Sequence, residues 1–265
     1  MTAPPASQTI SGSLLPPPKK ALAAKVNIAT PSYGSQYAGA YVRSLFKLLT
    51  APGLQGVQFS FSDIDYADIV VARNYLISNF YFNKPECTHI LFWDDDMGFE
   101  PALVEAMLAL GQDVVGLVAP KRAIDLKRLH GLHDQEFSAA YARACDFIGT
   151  FSPVSVSGQP FVRMEQCGAG VLLISRRCLD VMVRKLPEIV DDKRFKRLGF
   201  ADRFKSFITP FNKVELEDRE LSEDFSFCYR WVKQCQGEIY ASVAHPIEHV
   251  GQPTVKARYA DRGNA

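Results

Sequence analysis

From Lys25 onward the chain alternates short apolar runs with longer stretches whose apolar residues recur every three or four positions. Residues 26–30 (VNIAT) form a β-rich run stopped by Pro31-Ser32-Tyr33-Gly34, which predicts a buried strand entering a loop. Residues 38–49 carry Tyr41, Val42, Leu45, Phe46, Leu48 and Leu49 at helical spacing. A second strand is expected over 57–61, running into the acidic Ser62-Asp63-Ile64-Asp65, and a second helix over 69–82 with Arg73-Asn74 near its start. HILFW at 89–93 is a third strand with Asp94, Asp95 and Asp96 just beyond its end. Pro101 opens a helix that runs to 110, since proline suits a first helical position. Strands over 113–118, 166–175 and 239–244 and helices over 177–186 and 222–234 complete the pattern. Alternation at βαβ spacing predicts an α/β fold: one Rossmann-like domain with a central, mostly parallel mixed sheet flanked by helices.

Two stretches break the rhythm. Residues 123–160 hold polar turns and short apolar runs and are expected to be loop-rich; residues 187–221 carry many charges and are expected to form a loop or lid. Residues 1–24 are rich in Pro, Ser, Ala and Thr and read as a flexible leader, 25–251 as the folded domain, and 252–265 as a polar, mobile tail.

Composition narrows the classes. With 47% apolar and 22% charged residues over 265 positions, long disorder, collagen and coiled coil are excluded for the whole chain. Thirty basic side chains against 29 acidic ones leave a formal charge of +1, so no bulk attraction draws it to nucleic acid or a membrane, and any anion site is local. No apolar run approaches the roughly 18 residues of a transmembrane helix. In the first 24 residues the lysines follow the apolar positions, so a secretory signal is not expected. Six cysteines without CxxC spacing read as reduced thiols, buried as small apolar side chains, and the expected compartment is cytoplasmic.

The acidic triplet is the strongest chemical signal. Three adjacent aspartates repel one another, and a hard divalent ion such as Mn²⁺ or Mg²⁺ removes that repulsion through carboxylate oxygens. Ligands of open α/β sheets gather at the carboxyl ends of strands, where these residues fall. An acidic turn ahead of the helix at Pro101 is the plainer reading. Ser222-Glu223-Asp224 reads as a capped helix start or as a general base. Pro246 breaks any helical pairing of His245 with His249, though one loop histidine can complete a metal shell. Gly168-Ala169-Gly170 permits close backbone approach by a ligand or by a neighbouring element. Lys121-Arg122 reads as a diphosphate clamp or a solvated pair. The sequence lacks GxxxxGK[ST], and its first strand is not followed by GxGxxG.

Taken in order, ATPSYG, ARNYLISNFYF, HILFWDDDMGFEP, VVGLVAPKR, QCGAGVLLISRRCL, SEDFSFCYRW and HPIEHVG resemble the nucleotide-sugar-dependent glycosyltransferases of the GT-A fold, notably small bacterial and phage-type members. The resemblance implies that Asp94 and Asp96 are the DxD aspartates that hold the metal and face the donor, with His249 as a further metal ligand. It places Thr30, Pro31, Arg73, Asp94, Asp95 and Lys121 around the donor nucleotide and diphosphate. Gly168, Ala169 and Gly170 would border the donor sugar and acceptor, and Glu223-Asp224 would supply the base. Asp95 departs from the pattern, since many relatives carry a small residue between the two aspartates. The implied partners are a nucleoside-diphosphate sugar and a hydroxyl acceptor, a glycan or glycoconjugate. A nucleotidyltransferase and a non-catalytic nucleotide-sugar-binding module are the competing readings.

Overall fold

A computed structural model describes residues 23–150, 160–200, 202–204, 206–251 and 255–262. The expected leader lies outside the described residues up to residue 22, and Ala24 already opens the first strand. The order is β1 (Ala24–Ser32), α1 (Gly39–Leu49), β2 (Val57–Asp65), α2 (Ile69–Asn83), β3 (His89–Trp93), β4 (Met97–Phe99), α3 (Ala102–Leu110) and β5 (Val114–Leu117). There follow β6 (Pro120–Ile124), α4 (Leu126–His130), α5 (Phe137–Ala144), β7 (Cys145–Phe147), β8 (Phe161–Met164), β9 (Val171–Ser175) and α6 (Arg176–Lys185). The last part comprises β10 (Val190–Asp191), α7 (Arg194–Arg197), β11 (Phe207–Ile208), α8 (Glu223–Tyr229), β12 (Ile239–Ser242), β13 (Ile247–His249) and β14 (Val255–Ala257).

Seven strands form the central sheet in the order β2-β1-β3-β9-β5-β12-β8. β1 is parallel to β2 and β3, and β12 to β5, whereas β9 is antiparallel to both β3 and β5 and β8 to β12. Five strands therefore share one direction and two run against them: a mixed, mostly parallel α/β sheet. β3 and β9 are buried along almost their whole length, as expected of strands covered on both faces. α1 and α3 pack their apolar residues on one face; α2, α6 and α8 cover the other. Local chemistry sets the helix ends: Asp68 accepts from Val70 N and Val71 N, Ser175 accepts from Cys178 N, and Gly111 closes α3 at φ 65°.

Several expectations change. The 187–221 segment is not an open lid. Its Phe195, Phe200, Phe204, Phe207 and Phe211 are buried in the main core, and polar groups of α2 pin its backbone. Ser78 exchanges hydrogen bonds with Ile208, and Asn74 accepts from Phe211 N at 3.0 Å while donating to Asn212. Residues 123–150 hold two short helices and the β6–β7 pair where loops were expected, while 151–159 lie outside the described residues. At the carboxyl end of the chain β14 pairs with β13, and Tyr259 packs edge-on against Phe147. β9 starts at Val171, later than expected, and leaves Cys167–Gly170 as a loop. No helix of the described residues is long and apolar enough to cross a membrane.

Candidate functional site

The acidic turn leaves the carboxyl end of β3 and is fastened on both sides. Asp94 N donates to Gly170 O at 2.8 Å, and Met97 N returns to Asp94 O at 3.1 Å, closing the turn into β4. β4 pairs with β13 so that Met97 lies opposite His249, and Val250 N donates to Asp96 O at 2.8 Å. Strand pairing, not sequence proximity, thus delivers the late histidine to the aspartates.

Arg73 of α2 is the hub on the inner side. It is 3% exposed, and its guanidinium lies 5.6 Å from the Phe92 ring centre. Nη1 donates to Ala169 O at 3.2 Å, Nη2 donates to Asp94 Oδ2 at 3.2 Å, and Nε stands 3.5 Å from Glu223 Oε1. Burial works against the Arg73 charge, but Asp94 and Glu223 outweigh it and hold the group protonated. Asp94 Oδ1, 3.1 Å from Arg73 Nη2, is shut from solvent and accepts no well-aligned hydrogen bond. Oδ1 is thus held by charge attraction to the Arg73 guanidinium and not by a directed hydrogen bond.

The outer side is built differently. Asp96 Oδ2 accepts from Arg122 Nη1 at 2.9 Å and lies 3.6 Å from His249 Nε2. His249 Nδ1 is 2.8 Å from Pro120 O. A carbonyl only accepts, so Nδ1 carries the proton and Nε2 of the neutral ring presents its lone pair, the arrangement that orients metal-ligating histidines. Burial tends to lower the His249 pKa, but Asp96 and Pro120 O raise it above its ordinary value.

Charge accumulates around these two sides. Burial, followed by the neighbouring Asp96 and Asp94, pushes Asp95 up to about 6, and burial also raises Asp94 and Asp224. Asp224 Oδ1 accepts from Phe225 N at 2.7 Å and from Ser222 Oγ; Ser222 thus spends its hydroxyl on the carboxylate, not on a helix cap. Oδ2 of Asp224 faces Gly168, 3.8 Å from where a β-carbon would stand. At Gly170 a β-carbon would meet Met97 Cε at 2.5 Å and Asp94 Oδ2 at 3.2 Å, so glycine there is a packing requirement.

The structure therefore gathers Arg73, Asp94, Asp95, Asp96, Gly168, Ala169, Gly170, Glu223, Asp224 and His249 around one mouth. Thr30 and Pro31 are buried within β1, and the Thr30 hydroxyl is 2.7 Å from that of Tyr41. The strand runs two residues further than expected, so Tyr33, 74% exposed, carries the open part of that loop, and its backbone works to lower the Asp95 pKa. Lys121 is exposed on β6, and its neighbour Arg122 makes the contact with Asp96. Alternation along a strand sends adjacent side chains to opposite faces, and the Pro-initiated PKRAI run gave little sign that it was a strand. Among the described residues no three His, Cys, Asp or Glu side chains converge as a metal cluster. All six cysteines are free and buried.

No family model and no curated protein matches the chain. Among solved structures, A197 from STIV aligns over 85% of each chain at 14% identity and a TM-score of 0.45. A glycosyltransferase involved in the glycosylation of the major capsid of PBCV-1 aligns over 59% of this chain and 62% of its own, at 10% identity and a TM-score of 0.28. Likeness at this level assigns no activity, and the chemistry of this chain rests on its side chains.

Proposed function

We propose that the protein is a divalent-metal-dependent glycosyltransferase that moves a sugar from a nucleoside diphosphate to a hydroxyl acceptor. The observation that carries the reading is an excess of negative charge at the mouth. Five carboxylates, Asp94, Asp95, Asp96, Glu223 and Asp224, face two guanidinium groups, Arg73 and Arg122, and Asp94 Oδ1 is buried without a hydrogen-bond partner. Hard oxygen donors with one oriented imidazole fit Mn²⁺ or Mg²⁺. Asp96 and His249, 3.6 Å apart at the outer edge, would hold the ion, with Asp94 joining them only by turning away from Arg73; a bound ion would supply Lewis-acid neutralisation of a departing diphosphate.

The other roles follow from the chain's own groups. Arg122, 57% exposed at the rim, is free to swing from Asp96 to a donor phosphate. Arg73 stays fixed and keeps Asp94 and Glu223 in place. Asp224 has one oxygen engaged and the other turned toward Gly168, and burial raises its proton affinity; it takes the proton of the attacking hydroxyl. The backbone of Gly168-Ala169-Gly170 lines the donor sugar, and Tyr33, more than the buried Thr30 and Pro31, meets the nucleotide.

A thermal-shift series with UDP-, GDP-, CDP- and dTDP-sugars, with and without Mn²⁺, tests the proposal. Stabilisation by one nucleotide only when metal is present is the expected result. Asp96→Asn should keep the melting temperature of the apo protein and lose at least about a hundredfold in metal-dependent donor turnover. Full activity in that variant, or turnover of sugar phosphate plus nucleoside triphosphate instead, refutes the assignment.

A further inference from the structure

We infer that the outer face of α1 is a docking surface for an anionic lipid bilayer. α1 buries Ala40, Tyr41, Ser44 and Leu48 against the sheet, and on the opposite side it exposes Val42 (38%), Phe46 (69%) and Leu49 (53%). Steps of four and three residues place these three within an arc of roughly 60°. Single exposed apolar residues are ordinary on a protein surface, whereas three aligned on one helix form a patch that calls for a partner.

Charge and shape identify the partner. The cations of α1, Arg43 and Lys47, lie on one flank of the apolar stripe, and the helix carries no acidic residue. Beside that flank opens a small cleft of about 80 Å³ lined by Arg43, Ser44, Lys47 and Lys256 together with Glu100 and Glu248. The carboxylates pair with the cations, Lys47 with Glu100 at 2.6 Å and Glu248 with Lys256 at 3.0 Å and Arg43 at 3.7 Å. Three cations against two carboxylates leave one positive charge for a phosphate. The stripe is a ridge, since Phe46 and Leu49 stand more than half exposed. A protruding apolar ridge flanked by cations suits insertion at the headgroup boundary, with the cations on lipid phosphates; a protein groove would offer a concave surface instead. The chain as a whole carries only +1, so no bulk attraction to an anionic surface adds to that of this face. The helix also starts at the mouth: Ala38 N, just ahead of it, donates to Asp95 O at 2.8 Å. The docking itself does not depend on the proposed reaction.

Flotation of the full chain with vesicles of phosphatidylcholine alone, or of phosphatidylcholine mixed with phosphatidylglycerol, tests the inference. Capture by the anionic vesicles only is expected. Phe46→Ser with Leu49→Ser should weaken it by about tenfold or more at an unchanged melting temperature, because both side chains are exposed. Arg43→Gln and Lys47→Gln should each cost about fivefold. Phe61→Ser, at an exposed phenylalanine of β2, should cost nothing. The inference is overturned if neither vesicle captures the protein, or if the Phe46/Leu49 variant floats as well as the parent. Light scattering that finds a dimer which this variant splits, without vesicle binding by the parent, assigns the face to a second copy instead.

Discussion

Asp94 turns inward onto Arg73, which is 3% exposed, whereas Asp96, two residues on, turns outward onto Arg122, whose side chain is 57% exposed. The inner pair is enclosed by Ala169, Phe92 and Glu223. The outer pair shares its space with one histidine and with solvent. A buried guanidinium that bridges two carboxylates is a fixture, because removing it strands charge in a poor dielectric. A rim guanidinium is exchangeable, because water replaces it at little cost. One turn thus carries a rigid floor and a replaceable edge, and only the edge can hand its carboxylate to a ligand cheaply.

The strongest test of that contrast is Arg73→Ala, which leaves Asp94 and Glu223 uncompensated. It should cost about 3–5 kcal/mol of unfolding free energy in urea titration. A loss below 1 kcal/mol, on the order expected for an exposed pair, would erase the distinction between floor and edge. Next in size is Gly170→Ala, whose methyl group must displace Met97 Cε from 2.5 Å. Overpacking here should cost about 1–2 kcal/mol, less than the floor because the end of a methionine yields.

Smaller and opposite in sign is Asp95→Asn. Asp95 has its folded pKa raised to about 6 from 3.8, so its favourable contribution is complete below 3.8 and is lost as pH rises through about 6. The metal-free protein should therefore lose stability over that interval. The asparagine variant should flatten the loss and be more stable near neutrality by about 1 kcal/mol, allowing for partial exposure. A variant with an unchanged pH profile would show that Asp95 is solvated like an ordinary surface carboxylate. Smallest is Arg122→Ala, expected to change unfolding by less than about 0.5 kcal/mol.

How far the sequence foretold this arrangement varies with the physics involved. HILFW followed by three aspartates was legible because a doubly covered strand needs an unbroken apolar run, and its end is marked by the first charge. Helix α1 declared itself through apolar positions at helical spacing. Phe195, Phe200, Phe204, Phe207 and Phe211 follow no period, since they sit on short elements buried by distant α2 and not by their neighbours in the chain. Their charged neighbours made the segment look like a lid. The choice of Arg122 over Lys121 depended on which face of an unrecognised strand each residue occupies. Burial of Thr30 and Pro31 depended on β1 continuing to Ser32, past a proline where strands often stop. At Pro31 only β2 is alongside, since pairing with β3 ends at Ala29, so its missing N–H breaks no ladder on that side.

The reversed strand β9 has a consequence for assembly. It is wedged between β3 and β5, and the residue just ahead of it supplies the carbonyl that receives Asp94 N. Its partners on the two sides come from residues 89–93 and 114–116, far back along the polypeptide. A chain still lacking that insertion can tie the acidic turn to Ala38 and Arg73 but has no carbonyl for Asp94 N, so the inner anchor of the turn is completed only when this later segment docks.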